Sequence, residues 1–465
     1  MIGKALRACG LTALAVAALV AVGSSQGASE RFMLMHVSRD TTTDPRFQHE
    51  TEVEPSVAAG RGGVVVTVFQ VGRHSHRGAA AMGFATSRNG GRSWHNGLFT
   101  SVGRSGVSPP TALDVTDPFV VYDRVHARWI AASIADFANG SRTLQVYQSR
   151  DGIGWSGPIE VARGLVDREQ LACDGSRRSR FRGRCYVVFT RDDVDRLGVR
   201  WTANAGSNWS SEAAVPAILG SPIGAVPVVR RNGRLVVVYR QGGSRRATGE
   251  VPPLALSAAS SVDGGQTFGK SRGIAFVRPY QPPHFRDLSS AAPSAAVDAK
   301  GRLYAVWHSC RFRRPCRGND LVLSRSANGA RWSTPRRLPL DRRADHVIPG
   351  LAVAPARPGH GVRLGVAYYT IASDRCRPAR CRIAPWFVSS ANGGRTWGRP
   401  VRLHAPMRFT WLAQAPPGQA FVGDYLATAY VGTTAWPVFA AARPPSAGRL
   451  HEAIAVARVP AAVGR

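Results

Sequence analysis

Several carboxylates in this chain stand at the heads of apolar runs: Glu54 in EPSVAAG, Asp117 in DPFVVYD, Asp167 and Glu169 flanking Arg168 in VDREQLAC, and Asp424 beside Tyr425 in DYLATAY. Paired carboxylates with a neighbouring tyrosine can hydrolyse a glycosidic bond, one group acting as acid and another as base or nucleophile. On this reading Glu54, Asp117, Asp424 and Tyr425 are candidate catalytic residues, and Asp167, Arg168 and Glu169 are candidate substrate-binding residues. Two other readings stay open. The carboxylates can simply accept backbone N–H bonds or pair with arginines at strand starts, or the acidic arc can hold a divalent cation.

Two further motifs carry less. Gly264, Gly269, Lys270 and Ser271 satisfy the GxxxxGK[ST] pattern of a phosphate-binding loop, yet a β-hairpin and not a strand-to-helix turn is expected there. His74-Ser75-His76 lacks a third ligand type nearby and reads as a solvated loop. No cofactor or metal is expected.

The elements that must position the carboxylates come from a repeat. Its copies are Ser87 to Trp94 with Asn89, Ser149 to Trp155 with Asp151, Thr202 to Trp209 with Asn204, Ser261 to Phe268 with Asp263, Ser326 to Trp332 with Asn328, and Ser390 to Trp397 with Asn392. The aromatic residues are 54 to 65 positions apart, the length of one four-stranded propeller blade at an average of about 61. The Asp or Asn accepts backbone N–H bonds and the following glycines take the positive φ of a tight hairpin, while the aromatic ring folds back as an apolar plug worth roughly 2 to 4 kcal/mol. Two strand-like runs precede each copy, from EPSVAAGRGGVVVTVFQ to IPGLAVAPARPGHGVRLGVAYY, and a seventh set, DYLATAY, WPVFAAA and EAIAVARV, closes the chain without a copy. The fourth strand of that set is expected from RFMLMHVS near the N-terminus.

Seven blades are favoured, with six as the alternative. In register, the inner runs begin at Glu54, Asp117, Arg168, Val226, Ala292, Ile348 and Asp424, which predicts a mouth acidic on one side and apolar on the other.

The repeated S/T-x-D/N-G-x-x-x-W pattern resembles the Asp-box, or BNR, repeat of the sialidase superfamily. That resemblance implies a β-propeller with the boxes between the third and fourth strands of each blade, away from the active site. It also implies an aspartate acid/base, a tyrosine nucleophile assisted by a glutamate, and three arginines clamping a sugar carboxylate. Where such enzymes carry an Arg-Ile-Pro-like stretch, this chain reads Val53-Glu54-Pro55-Ser56. A glutamate there would repel sialic acid and points to neutral sugars.

Composition sets the context. Residues 1–28 read as a secretory leader, with Lys4 and Arg7 before an apolar stretch too short to span a bilayer. Residues 29–465 then form one exported domain, with no transmembrane span. Export makes disulfides sensible: Cys173 with Cys185, Cys310 with Cys316 and Cys376 with Cys381 are the simplest local pairings, against a metal site whose intervening arginines would repel a cation. The net charge is +32, but only three of the 61 basic residues are lysine. The arginines are scattered along the sequence without a basic helix, so the charge reads as codon drift and no nucleic-acid partner is expected. The expectation is a secreted monomer that engages an extracellular glycan or surface polymer, or else a non-catalytic module that binds a glycan or protein.

Overall fold

The β-branched and aromatic content of the predicted strand runs dictates sheets covered on both faces. Val65–Arg73, with the sequence VVTVFQVGR, is buried at every position. The computed structural model describes residues 32–99, 112–244, 253–286, 292–372 and 376–461. The expected leader lies outside the described residues. Among the described residues there is no α-helix, only strands and three short 3-10 turns. The chain is all-β.

The strands fall into four-stranded antiparallel units. Unit I is Gln48–Ala59, Val65–Arg73, Ala79–Ser87 and His95–Leu98. Unit II is Asp114–Asp123, Arg128–Asp136, Arg142–Ser149 and Trp155–Arg163. Unit III is Val166–Cys173, Cys185–Arg191, Arg196–Thr202 and Ala213–Val215. Unit IV is Ile223–Val229, Leu235–Gln241, Ala255–Ser261 and Arg272–Phe276. Unit V is Ser294–Val297, Leu303–Ser309, Asp320–Ser326 and Arg336–Arg337. Unit VI is Asp345–Val353, Leu364–Ile371, Arg382–Ser390 and Val401–Arg402, with Met407–Arg408 also on its third strand. Unit VII is Ala427–Val431, Thr434–Ser446 and Arg449–Arg458, and its fourth strand is the N-terminal Met33–His36, pairing Met33 with Arg458 and His36 with Ala455. Units VII, I and II are continuous as one 12-stranded sheet, but single residue pairs link them: Thr51 with Glu452, and Ala79 with Val115.

The core lies between consecutive units. Val66 and Val68 of unit I pack with Val120 and Trp129 of unit II, Ile130 and Val146 of unit II with Val187 and Phe189 of unit III, and the pattern repeats onward to units V and VI. The largest cluster joins unit VI to unit VII and unit VII back to Phe69 and Val71 of unit I. The first strands of the units touch in the same order, and Ala427–Val431 of unit VII meets Gln48–Ala59 of unit I.

Each repeated segment is the hairpin between the third and fourth strands of its unit. Two side chains, not one, hold it. In the sixth copy the Gly394 N–H donates to Ser390 Oγ at 2.9 Å, while Arg395 and Thr396 N–H donate to Asn392 Oδ1 at 3.0 and 2.9 Å. The second copy does the same with Ser149 Oγ and Asp151 Oδ1. The leading Ser or Thr is therefore as much a part of the turn as the Asp or Asn. The box glycine also seats the hairpin on the preceding unit: a Cβ on Gly394, at φ +78, would stand 2.5 Å from Leu323 of unit V. Trp94, Trp155, Trp209, Phe268, Trp332 and Trp397 each pack against a different core cluster but are half-buried, lying over the core edge and not plugging it fully. The phosphate-loop pattern at Gly264 lies in the fourth such hairpin. The three disulfides pair Cys173 with Cys185, Cys310 with Cys316 and Cys376 with Cys381.

Candidate functional site at the head of the inner strands

The first strands share a local device. Each of five carries a two-residue bulge near its start, and the first bulged residue has a left-handed backbone: Glu54 at φ 55, Asp117 at 53, Arg168 at 55, Gly224 at 64 and Ile348 at 54. For a non-glycine residue this conformation costs about 1 to 2 kcal/mol. Prolines 55, 118 and 349 follow three of these residues, placing a residue with no N–H where the ladder has no partner for one. A bulge re-aims its side chain, and here it brings groups from distant units to one place. The inner position of unit IV is Gly224, so the register expected at Val226 is two residues late.

The polar groups interlock. Arg168 is ion-paired to Asp424, and its Nε lies 3.9 Å from Asp117 Oδ1. Glu54 Oε2 accepts from Gln70 Nε2, and Glu54 Oε1 accepts from the Asp424 N–H at 3.2 Å. Gln70 Nε2 also donates to Thr116 Oγ1 at 3.0 Å, and Arg73 Nη1 donates to Gln70 Oε1 at 2.9 Å. Glu54, Asp117, Arg168 and Asp424 are all buried residues. They line one cleft together with Arg73, Asp136, Arg142, Asp167 and Arg286.

Burial dominates the electrostatics. It pushes Glu54 up to about 8, helped by Asp117 and Asp424. It pushes Asp117 up to about 7, with Asp167 adding to the shift and Arg168 opposing it. Asp167 is raised by burial as well, and Asp136 is raised by burial to about 6. Burial works against the Arg168 guanidinium, yet Asp424, Asp117, Asp167 and Glu54 together hold its pKa above the ordinary value. The cleft thus offers carboxyls that keep a proton near neutral pH beside one, Asp424, whose charge is met by an arginine. That is an arrangement able to donate and accept protons at a bound ligand.

Of the expected site residues, Glu54, Asp117, Asp167, Arg168 and Asp424 come together here. Glu169 and Tyr425 do not: they line a second cavity bordered by residues of all seven units, Ala292 and Ile348 among them. The Tyr425 hydroxyl donates to the Pro118 carbonyl at 3.0 Å. Glu169 is buried, with neither carboxyl oxygen hydrogen-bonded among the described residues, and burial followed by Asp117 raises it well above the usual carboxylate range. Arg168 and Asp424 border both cavities.

Sequence reasoning missed Arg73, Arg142, Arg286 and Phe421. The Arg73 and Arg286 guanidiniums lie over the Phe421 ring at 4.9 and 4.8 Å. An arginine ending the apolar run VVVTVFQVGR was the available signal for Arg73; Phe421 sits in a short hairpin, Ala413–Gln414 with Ala420–Phe421, that no repeat announces. His76 lines the cleft, and no group of three metal-ligating side chains exists among the described residues.

No family model matches the chain, and no curated protein matches it. Among solved structures, it is similar to a protein of unknown function from Dyadobacter fermentans (13% identity, 92% of this chain and 98% of that one, TM-score 0.45). It is likewise similar to the α-L-arabinofuranosidase Arb93A of Fusarium graminearum (13% identity, 76% and 96%, TM-score 0.48) and to the intramolecular trans-sialidase of Ruminococcus gnavus (13% identity, 89% and 95%, TM-score 0.44).

Proposed function

We propose that the chain is an exported seven-bladed β-propeller of the Asp-box type, residues 29–465 after loss of the leader, whose mouth cleft hydrolyses glycosidic bonds in extracellular glycans. The propeller reading is supported by first strands that touch in a circuit from unit I to unit VII and back, and by the N-terminal strand completing unit VII. Three disulfides support an oxidising destination.

The observation that carries the catalytic reading is that buried Glu54 and Asp117, raised to about 8 and 7, share one cleft with the Arg168-paired Asp424. At neutral pH Glu54 holds the proton that a glycosidic oxygen needs as its bond breaks, and Asp424, ion-paired to Arg168, is the base or nucleophile. Asp117, raised by burial to about 7, is a second proton carrier, and Asp167 and Arg168 contact the sugar. Tyr425, held on the Pro118 carbonyl, positions the Asp117 bulge. A neutral sugar meets no unmatched charge beside a protonated Glu54.

A panel of aryl glycosides tests this. Turnover of a neutral-sugar substrate, abolished by Glu54→Gln or Asp424→Asn in folded protein, is the expected result. The second reading, a non-catalytic glycan- or protein-binding module, is favoured by the fact that Gln70, Arg168 and the Asp424 N–H already occupy Glu54 and Asp424. Silence across the panel together with retained binding on a glycan array would establish it in place of the hydrolase.

A further inference from the structure

The far end of the inner strands gathers the arginine run of residues 177–184 with basic residues of neighbouring units. Asp117, at the mouth, and Asp123, at the first hairpin of unit II, are six residues apart on one strand, roughly 20 Å at 3.3 Å per residue. On that far face the first hairpins of units II to V, residues 123–128, 174–184, 230–234 and 298–302, stand side by side. Ser176 Oγ of unit III donates to the Arg231 carbonyl of unit IV at 2.6 Å, and Arg230 Nε donates to the Gly301 carbonyl of unit V at 2.9 Å. A Cβ on Gly183 of unit III would meet Val125 and His126 of unit II.

Every carboxylate in these hairpins is used by its own turn. Asp123 Oδ1 accepts from Val125 and His126 N–H at 2.9 and 3.3 Å. Asp174 accepts from Ser176 N–H at 3.0 Å and from the Ser179 hydroxyl. Asp298 accepts from Lys300 and Arg302 N–H, both at 2.9 Å. All three are buried. The exposed charges are cations, among them Arg124, Arg177, Arg178, Arg182, Arg231 and Lys300. The longest hairpin is closed at its base by Cys173–Cys185 and pinned to unit IV, where Arg180 and Arg184 donate to the Val262 and Gly264 carbonyls at 2.8 and 2.9 Å. The backbone that carries its exposed arginines is therefore fixed at both the base and the side of the hairpin before any partner arrives, which lowers the ordering cost of binding.

We propose that this arc docks a linear acidic polysaccharide, its carboxylates or sulfates running across the hairpins of units II to V. Its two large aromatic rings are already covered, Trp201 by Arg184 at 3.7 Å and Phe181 by Arg180 and Arg184 at 4.7 and 4.9 Å, and among the described residues there is no α-helix to enter a groove. A polymer with regularly spaced anions and no bases is the partner that fits. The docking site is independent of the mouth chemistry and stands whether or not the cleft is catalytic.

The test uses the disulfide-bonded protein at about 0.15 M salt, a size-defined heparin oligosaccharide and a polyuronate as the two probes, and a DNA duplex of matched charge for comparison. The variant R177S/R178S/R182S/R231S removes four exposed guanidiniums, none of which donates a hydrogen bond among the described residues. A control, R343S/R380S/R382S/R443S, removes the same charge from exposed positions outside the arc. The arc variant should lose heparin or polyuronate affinity by about ten-fold or more and show a shallower salt dependence, because each neutralised anion releases counterions. The control should stay within about two-fold. Equal losses in both variants, tighter binding to the duplex, or no binding to either polysaccharide would each overturn the proposal.

Discussion

The Arg168 guanidinium and the Asp424 carboxylate, 256 residues apart, form a buried ion pair that borders both the carboxylate cleft and the cavity lined by all seven units. Arg168 stands on the first strand of unit III, and Asp424 precedes the first strand of unit VII. The pair thus fastens two units that share no core cluster.

Removing the cation should therefore cost more than its contacts suggest. Arg168→Gln leaves Asp424 and Asp117 buried without their counter-charge, and breaking a buried pair in this way costs about 3 to 5 kcal/mol. Urea denaturation at pH 7 should show a loss of that order, whereas the same substitution at exposed Arg92 should change little. A loss below about 0.5 kcal/mol would mean that water already solvates the pair.

The buried acids also set a pH dependence whose sign follows from their direction. Glu54 moves from 4.5 in the unfolded chain to about 8 in the fold, so the folded protein holds the extra proton in between. Its contribution is present in full below about 4.5 and is lost as pH rises through 8. Glu52, raised by burial to about 8, and Asp117, raised to about 7, act in the same direction. The melting temperature should fall from pH 5 to pH 8, each group contributing up to about 1.4 kcal/mol per pH unit. Glu54→Gln should flatten this slope without removing it; an identical slope in the variant would show that Glu54 is ionised throughout.

The architecture was legible because its signals are local and repeated. An Asp or Asn such as Asp151 or Asn392, with the Ser or Thr two residues before it and the glycine after it, makes a hairpin in each of the six copies, and their recurrence marks six of the seven units. The N-terminal strand was legible for a different reason, since EAIAVARV needed a partner and RFMLMHVS was the unassigned apolar segment of the right length. The site was legible only in part. Carboxylates heading apolar runs located Glu54, Asp117 and Asp424, but bulges insert residues that a straight strand register does not count, so the equivalent of Glu54 in unit IV was Gly224 and not Val226. Arg73, Arg286 and Phe421 meet only through tertiary packing. The basic arc was legible only in part: residues 177–184, RRSRFRGR, are a run of arginines in one hairpin, but Arg124, Arg231 and Lys300 join it only when four hairpins line up.

The two-handed grip on each repeated turn gives a graded pair of mutants. Ser390→Ala strips the acceptor of the Gly394 N–H and should cost about 1 kcal/mol, as for loss of a capping side chain. Gly394→Ala adds both a Cβ at φ +78 and a contact of 2.5 Å with Leu323, and should cost about 2 to 4 kcal/mol through strain and overpacking. Chemical denaturation of both variants checks the order, and a milder effect for Gly394→Ala would mean that the hairpin does not bear on unit V.

The strand Met33–His36 leaves the most consequential prediction, because it covers an edge, Ala455–Arg458, that no other strand covers among the described residues. Its backbone pairs with Arg449–Arg458, the Val37 N–H donates to the Ile454 carbonyl at 2.8 Å, and Ser38 Oγ accepts from the Ile454 N–H at 2.8 Å while donating to buried Glu52 at 2.7 Å. Without it the run EAIAVAR would present unpaired N–H and C=O groups along an apolar edge, a template for pairing with another chain. A form of the protein beginning after Ser38 should melt at least about 5 °C lower and shift to larger species than the intact protein on size-exclusion chromatography, and adding the peptide Phe32–Ser38 in trans should reverse part of both changes. An unaltered melting point and elution volume in the truncated form would show that unit VII is stable with three strands and that the circuit of units closes without this one.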